Sequence, residues 1–172
     1  MSLAQKRNGA RKKIPQINGD VLEFLDASID WDAFVPELNA AIPRRINRRG
    51  GRPPFNNLLM FKILIVKWLF KLSYDQTERL ISEHPSLKGF LGFDKNDFAP
   101  DAKTIWLYKD ILSKSGSVPI LADMLDQVFF QNRYEGDDLQ LQLSGAAFID
   151  GFDNKSAADE VEFDRELAGA AK

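Results

Sequence analysis

The apolar positions of this 172-residue chain fall into blocks of helical period over most of its length and change period once. Val21, Leu22 and Leu25, then Trp31, Phe34, Val35 and Leu38, recur at spacings of three and four, which predicts helices over 21–27 and 31–41. Four more helices have readable ends. The first covers 56–71, with Asn56 as its cap after Pro53-Pro54. The second opens at Ser73, and Gln76 three residues on completes a capping-box pattern before Pro85 closes the segment. The third opens at Pro100-Asp101, with Asp101 as cap, and runs to Gly116. The fourth spans 118–131 behind Ser117. Then Leu139-Gln140-Leu141-Gln142-Leu143 alternates strictly, the signature of a strand. Ser144-Gly145 reads as a turn and 146–149 as a second short strand ending at Asp150. Two strands bury too little to stand alone, so the pattern predicts a sheet begun and not finished.

Between the helical blocks lies a segment with no apolar period, PRRINRRGGRPP at 43–54. It holds Arg44, Arg45, Arg48, Arg49 and Arg52 between prolines and beside a Gly-Gly pair, which keeps it out of helix and strand. The net charge of −2 hides a gradient: +7 over residues 1–72, −2 over 73–134 and −7 over 135–172. A basic front half predicts a polyanionic partner there. The chain has no cysteine and one histidine, which excludes a disulfide scaffold, a thiolate zinc site, a cysteine nucleophile and a histidine-rich metal centre. The most hydrophobic stretch, 58–72, is 15 residues long and carries Lys62, Lys67 and Lys71. A spanning helix needs roughly 20 largely uncharged residues, so a buried helix is expected and a basic helix lying on a membrane surface is the weaker alternative. With no signal peptide at the front, a cytoplasmic, nucleoid-associated protein with no membrane partner is expected.

In GRPPFNNLLMFKILIVKWLFKLSYDQTERLISEHPSLKGFLGF, residues 51–93, the sequence resembles the N-terminal part of bacterial insertion-sequence transposases of the IS5 type. The pieces, in order, are Gly51-Arg52-Pro53-Pro54, Leu58-Leu59-Met60, Leu72-Ser73, Phe90-Leu91-Gly92 and Pro100-Asp101-Ala102-Lys103-Thr104. Phe24-Leu25-Asp26 and Trp31 upstream resemble the family's entry helix, so the likeness covers about residues 20–152. It implies a helical DNA-binding domain followed by a hairpin that opens an RNase-H-like catalytic domain with three carboxylates. Asp150, in Ala146-Ala147-Phe148-Ile149-Asp150, lines up with the first of them, although Gly151-Phe152 replaces the small residues usual after it. Tyr108-Lys109 stands where the family commonly has an aromatic residue followed by arginine.

Such chemistry uses two divalent ions with oxygen ligands to hydrolyse and rejoin phosphodiester bonds. The chain offers Asp150 as one candidate ligand and then 22 further residues with a solvated acidic character. It is therefore expected to be catalytically incomplete, with no cofactor of its own and Mg²⁺ only for a full-length enzyme. The expected fold class is mainly α: a basic mobile tail over 1–19, a helical domain over 20–134, a hairpin over 135–152 and an acidic tail over 153–172. The helix pair 73–84 and 101–113 admits two readings, a helix-turn-helix-like unit or two helices packing a core. Lys103 and Lys109, with Lys114, are the cations of the second helix, offset by Asp101 and Asp110. The five arginines are the stronger phosphate candidates, because a guanidinium matches phosphate geometry; the alternative is a solvated loop. Lys6–Lys13 is either a second phosphate contact or a solubilising tail. Expected partners are duplex DNA, as transposon ends or non-specifically, and a second copy or a full-length transposase. His84 is expected to end a helix, and Trp31, Trp68 and Trp106 to lie in the core.

Overall fold

The computed structural model describes residues 19–43, 53–93, 97–131, 148–149 and 152, and these are mainly helical. In chain order they form α1 (Gly19–Ser28), a single 3-10 turn (Trp31–Phe34), α2 (Val35–Ala41), α3 (Asn57–Leu69), α4 (Tyr74–Glu83), α5 (Pro85–Leu91), α6 (Ala102–Ser115) and α7 (Val118–Gln131).

The most hydrophobic stretch of the chain is the centre of this bundle. α3 buries Asn57, Met60, Phe61, Ile63, Leu64, Ile65, Val66 and Leu69, and packs against α2, α4, α5 and α6. Apolar side chains nearly all round a helix require partners all round it, which is why the run is uninterrupted. No helix among the described residues is long and apolar enough to cross a membrane. The helix ends follow the chemistry of their caps. Asn56 accepts the Leu58 N–H at 2.8 Å. Ser73 and Gln76 form the reciprocal pair, the Gln76 N–H donating to Ser73 Oγ at 3.1 Å and the Ser73 N–H to Gln76 Oε1 at 2.9 Å. Asp101 Oδ1 accepts the Thr104 N–H at 2.7 Å. Pro85 opens α5 at a position whose N–H a helix does not use.

α3 ends in a left-handed residue that is not glycine. Lys71 has φ 49°, and the Leu72 N–H reaches back to the Lys67 carbonyl at 3.0 Å. α5 closes the same way, but with Gly92 at φ 76° and the Phe93 N–H on the Lys88 carbonyl at 2.9 Å. The first arrangement carries the steric cost of a Cβ and the second does not.

The predicted hairpin meets a correction. Phe148 and Ile149, in its second arm, are helical, as is Phe152; the first arm, 139–143, lies outside the described residues. The physical reason is the spacing of the phenylalanines. Phe148 and Phe152 are both buried with ring centroids 5.3 Å apart, and a helix stacks residues four apart on one face. A strand would set positions 148, 150 and 152 on one face and carry a carboxylate into the same apolar contact. Phe148 is fully buried, edge-on to Phe61 at 6.1 Å and to Trp68 at 5.4 Å. It thereby extends an aromatic series that begins with Phe34 against Phe61 at 5.4 Å.

The predicted helix pair is present as α4 and α6, which pack on each other. α5 stands between them in sequence, however, so they are not two consecutive helices joined by a short turn. The SLKGFLGF stretch had the length for that third helix, and Pro85 marked its first position rather than only a stop.

Candidate nucleic-acid interface

The arginine-bearing connection joins α2 to α3 in the chain. Arg44, Arg45, Arg48, Arg49 and Arg52 lie outside the described residues; the points on either side, Ile42 and Asn57, do not. Those points are bonded to each other through Asn57, the first residue of α3. Its Nδ2 donates to the Ile42 carbonyl at 2.9 Å and to Asn39 Oδ1 at 3.0 Å, with the Leu38 carbonyl at 3.5 Å. The Asn57 carbonyl in turn accepts the Tyr108 hydroxyl of α6 at 2.9 Å. Burial pushes the Tyr108 phenol well above its ordinary value, so it is a proton donor at any physiological pH. One asparagine thus joins the end of α2, the start of α3 and the middle of α6.

The lysines of α6 do not share one role. Lys103 is exposed in the first turn. Lys109 is half-buried with its Nζ 5.5 Å from the centre of the Phe152 ring. Lys114 pairs with Asp110 four residues back at 2.6 Å. The N-terminus of α6 is already engaged by two carboxylates: Asp101 on Thr104, and Glu78 of α4, whose Oε2 accepts the Ala102 N–H at 2.9 Å. The hydrogen bonds from the Thr104 side chain and backbone hold the Asp101 carboxyl below its ordinary value, against a smaller opposing effect of burial. A phosphate approaching this helix end would meet negative charge.

Asp150 also lies outside the described residues, between the buried Phe148 and Phe152. Among the described residues no three histidine, aspartate or glutamate side chains gather as metal ligands would. His84 closes α4 and stands before α5, as expected of a helix-end residue. Trp31 is buried, while Trp68 and Trp106 are half-buried against the core.

Three contributors escaped the sequence. Asn57 sits beside the recognisable cap Asn56, and no pattern in the sequence marks it out. Glu78 is one of several acidic residues on an amphipathic helix. Lys62 reads only as a charge within an apolar run, and its Nζ lies 4.7 Å from the rings of both Trp31 and Phe90. It also donates to the Phe90 carbonyl at 3.2 Å and pairs with Asp26 at 3.3 Å. No periodicity marks such residues, because each is defined by partners distant in sequence.

Neither the curated proteins nor the solved structures contain a match to this chain. A family model does match, over residues 10–110, and that span takes in the arginine connection, α1 to α5 and the first part of α6. The chain belongs to the family described as transposase domain (DUF772).

Proposed function

We propose that this chain is the DNA-binding N-terminal portion of an insertion-sequence transposase of the IS5 type, with duplex DNA as its partner. The observation that carries the reading is the placement of five arginines on a connection whose two ends are bonded together at Asn57 beside α6. Arginine forks suit phosphate oxygens, and each neutralised phosphate releases counterions. Lys103 adds an exposed cation on α6. The carboxylates at the N-terminus of α6 weigh against that helix leading into a groove as the recognition helix of a helix-turn-helix unit, and favour contact through the arginine connection.

Asp150 is the first catalytic carboxylate of this reading, an oxygen donor of the kind Mg²⁺ takes. Alone it makes no two-ion site, so catalysis belongs to a full-length enzyme carrying further carboxylates.

The test is duplex binding followed by fluorescence anisotropy across a salt series. The expected slope of log affinity against log salt is roughly −0.9 per phosphate neutralised. Replacing Arg44, Arg45, Arg48, Arg49 and Arg52 by alanine should cut affinity at least about 100-fold near 0.1 M salt and flatten the slope by about 4. No binding at low salt, or an unchanged slope, ends the reading.

A second reading is supported by Leu107 and Ile111, exposed apolar side chains one turn apart on α6 that suit protein contact. In it the chain is a regulatory module that pairs with a full-length transposase. Co-purification with such an enzyme, lost in Leu107→Glu, distinguishes the two.

A further inference from the structure

We infer that Lys71, at the end of α3, is a phosphate-contact residue whose side chain is held out to a polyanionic partner at a cost in backbone strain. The inference deepens the DNA-binding reading by naming a contact on the described bundle, and it rests on that reading for the identity of the polyanion. Three helices end in a left-handed residue: α3 at Lys71 with φ 49°, α5 at Gly92 with φ 76° and α6 at Gly116 with φ 79°. α3 and α5 close with the same bond, the Leu72 N–H on the Lys67 carbonyl and the Phe93 N–H on the Lys88 carbonyl. Glycine adopts this backbone freely, whereas a Cβ crowds the following carbonyl oxygen. A lysine in the same role weakens the fold unless its side chain makes an offsetting contact.

Among the described residues Lys71 makes none. It is exposed, and no carboxylate or ring there takes its ammonium group. The two lysines before it on α3 are used by the fold: Lys62 lies over Trp31 and Phe90 and pairs with Asp26, and Lys67 lies over Tyr74. A cation near a helix C-terminus does favour the carbonyl end. That service is already supplied, since α3 has Lys67 in its last turn as α5 has Lys88 and α6 has Lys114. Strain kept where glycine would relieve it points to a side chain used outside the fold. The chemistry of that use follows from the group: an ammonium free of carboxylates, on a fixed backbone, is a point charge for a phosphate oxygen.

The experiment compares the whole chain with Lys71→Gly, Lys71→Arg and Lys114→Ala, by urea unfolding and by duplex-DNA anisotropy across a salt series. Lys71→Gly should unfold at a higher urea concentration than the parent. It should nevertheless bind DNA about five- to tenfold more weakly near 0.1 M salt, with the magnitude of the salt slope reduced by about 1. Lys71→Arg keeps the charge and should keep the slope. Lys114→Ala removes the same charge from a lysine already paired with Asp110, and should also keep it. An unchanged slope in Lys71→Gly overturns the inference. So does an equal flattening in Lys114→Ala, which would make net charge the cause, or in Lys71→Arg. A lower urea midpoint in Lys71→Gly overturns it as well, because the lysine would then be serving the helix end. If the parent chain fails to bind duplex DNA, the DNA reading falls, and elution from phosphocellulose decides the role of Lys71. Elution of Lys71→Gly at lower salt than Lys114→Ala supports contact with another phosphate polyanion; elution together overturns the inference.

Discussion

The lysines of α3 and those of α6 carry the same charge on helices of similar length, and the structure uses them differently. On α3, Lys62 lies over Trp31 and Phe90, and Lys67 lies 4.2 Å from the Tyr74 ring. Both ammonium groups are half-buried and serve to join helices. On α6, Lys109 resembles them, turned to Phe152, whereas Lys103 faces solvent. A basic residue therefore counts toward a polyanion interface only after its aromatic and carboxylate neighbours are known. Of the six lysines in and beside the two helices, Lys71, Lys103 and Lys114 are the exposed ones, and Lys114 is paired with Asp110.

The comparison is sharpened most strongly where the aromatic series meets Lys109. Phe148→Ala empties a fully buried site against Phe61 and Trp68, and should destabilise the fold by about 3–5 kcal/mol in urea unfolding. A loss below about 1 kcal/mol would place the 148–152 segment outside the cooperative core. Lys62→Ala and Lys103→Ala form a matched pair. The first should cost about 1–2 kcal/mol through two ring contacts, with little from the Asp26 pair because Asp26 is largely exposed. The second should alter stability by less than about 0.5 kcal/mol while reducing the magnitude of the DNA salt slope by about 1. Equal stability effects would erase the distinction between structural and surface lysines.

Lys71→Gly tests a smaller term. It relieves the left-handed backbone at the end of α3 and should raise stability by about 0.5–1 kcal/mol, visible as a higher urea midpoint with unchanged slope. The smallest effect is a pH dependence. The Asp101 carboxyl is lowered by Thr104, so its contribution is complete above about pH 4 and is lost as pH falls through its folded-state value. Asp101→Asn keeps a capping oxygen and should remove that acid-side decline, read as a flatter stability profile between about pH 2 and 5.

Much of the helical frame was legible because helix ends are decided locally. Asn56, Ser73 with Gln76 and Asp101 cap the helices they were expected to cap, and Gly116 ends α6 at φ 79°. A capping oxygen lies two or three residues from the N–H it accepts, so the pattern survives in one dimension. Phe148 and Ile149 misled for a related reason. A run of four apolar residues is only two periods of a strand and about one turn of a helix, and the burial of Phe148 with Phe152 selects the helix.

By itself, the sequence determined the blocks of helical period, their caps, the clustering of five arginines between prolines, and the family likeness that the domain match supports at the level of a transposase. Tertiary structure alone decided that Asn57 ties α2 to α3 and α6, that Glu78 occupies the N-terminus of α6, and that Lys62 and Lys109 face rings rather than solvent. Hydrogen bonds and cation–ring contacts act over a few ångströms, and their partners here lie between 15 and 51 residues apart in the chain. Nothing in the local pattern encodes such a pairing. It exists only once the apolar face of each helix has been buried and the remaining polar groups must find one another.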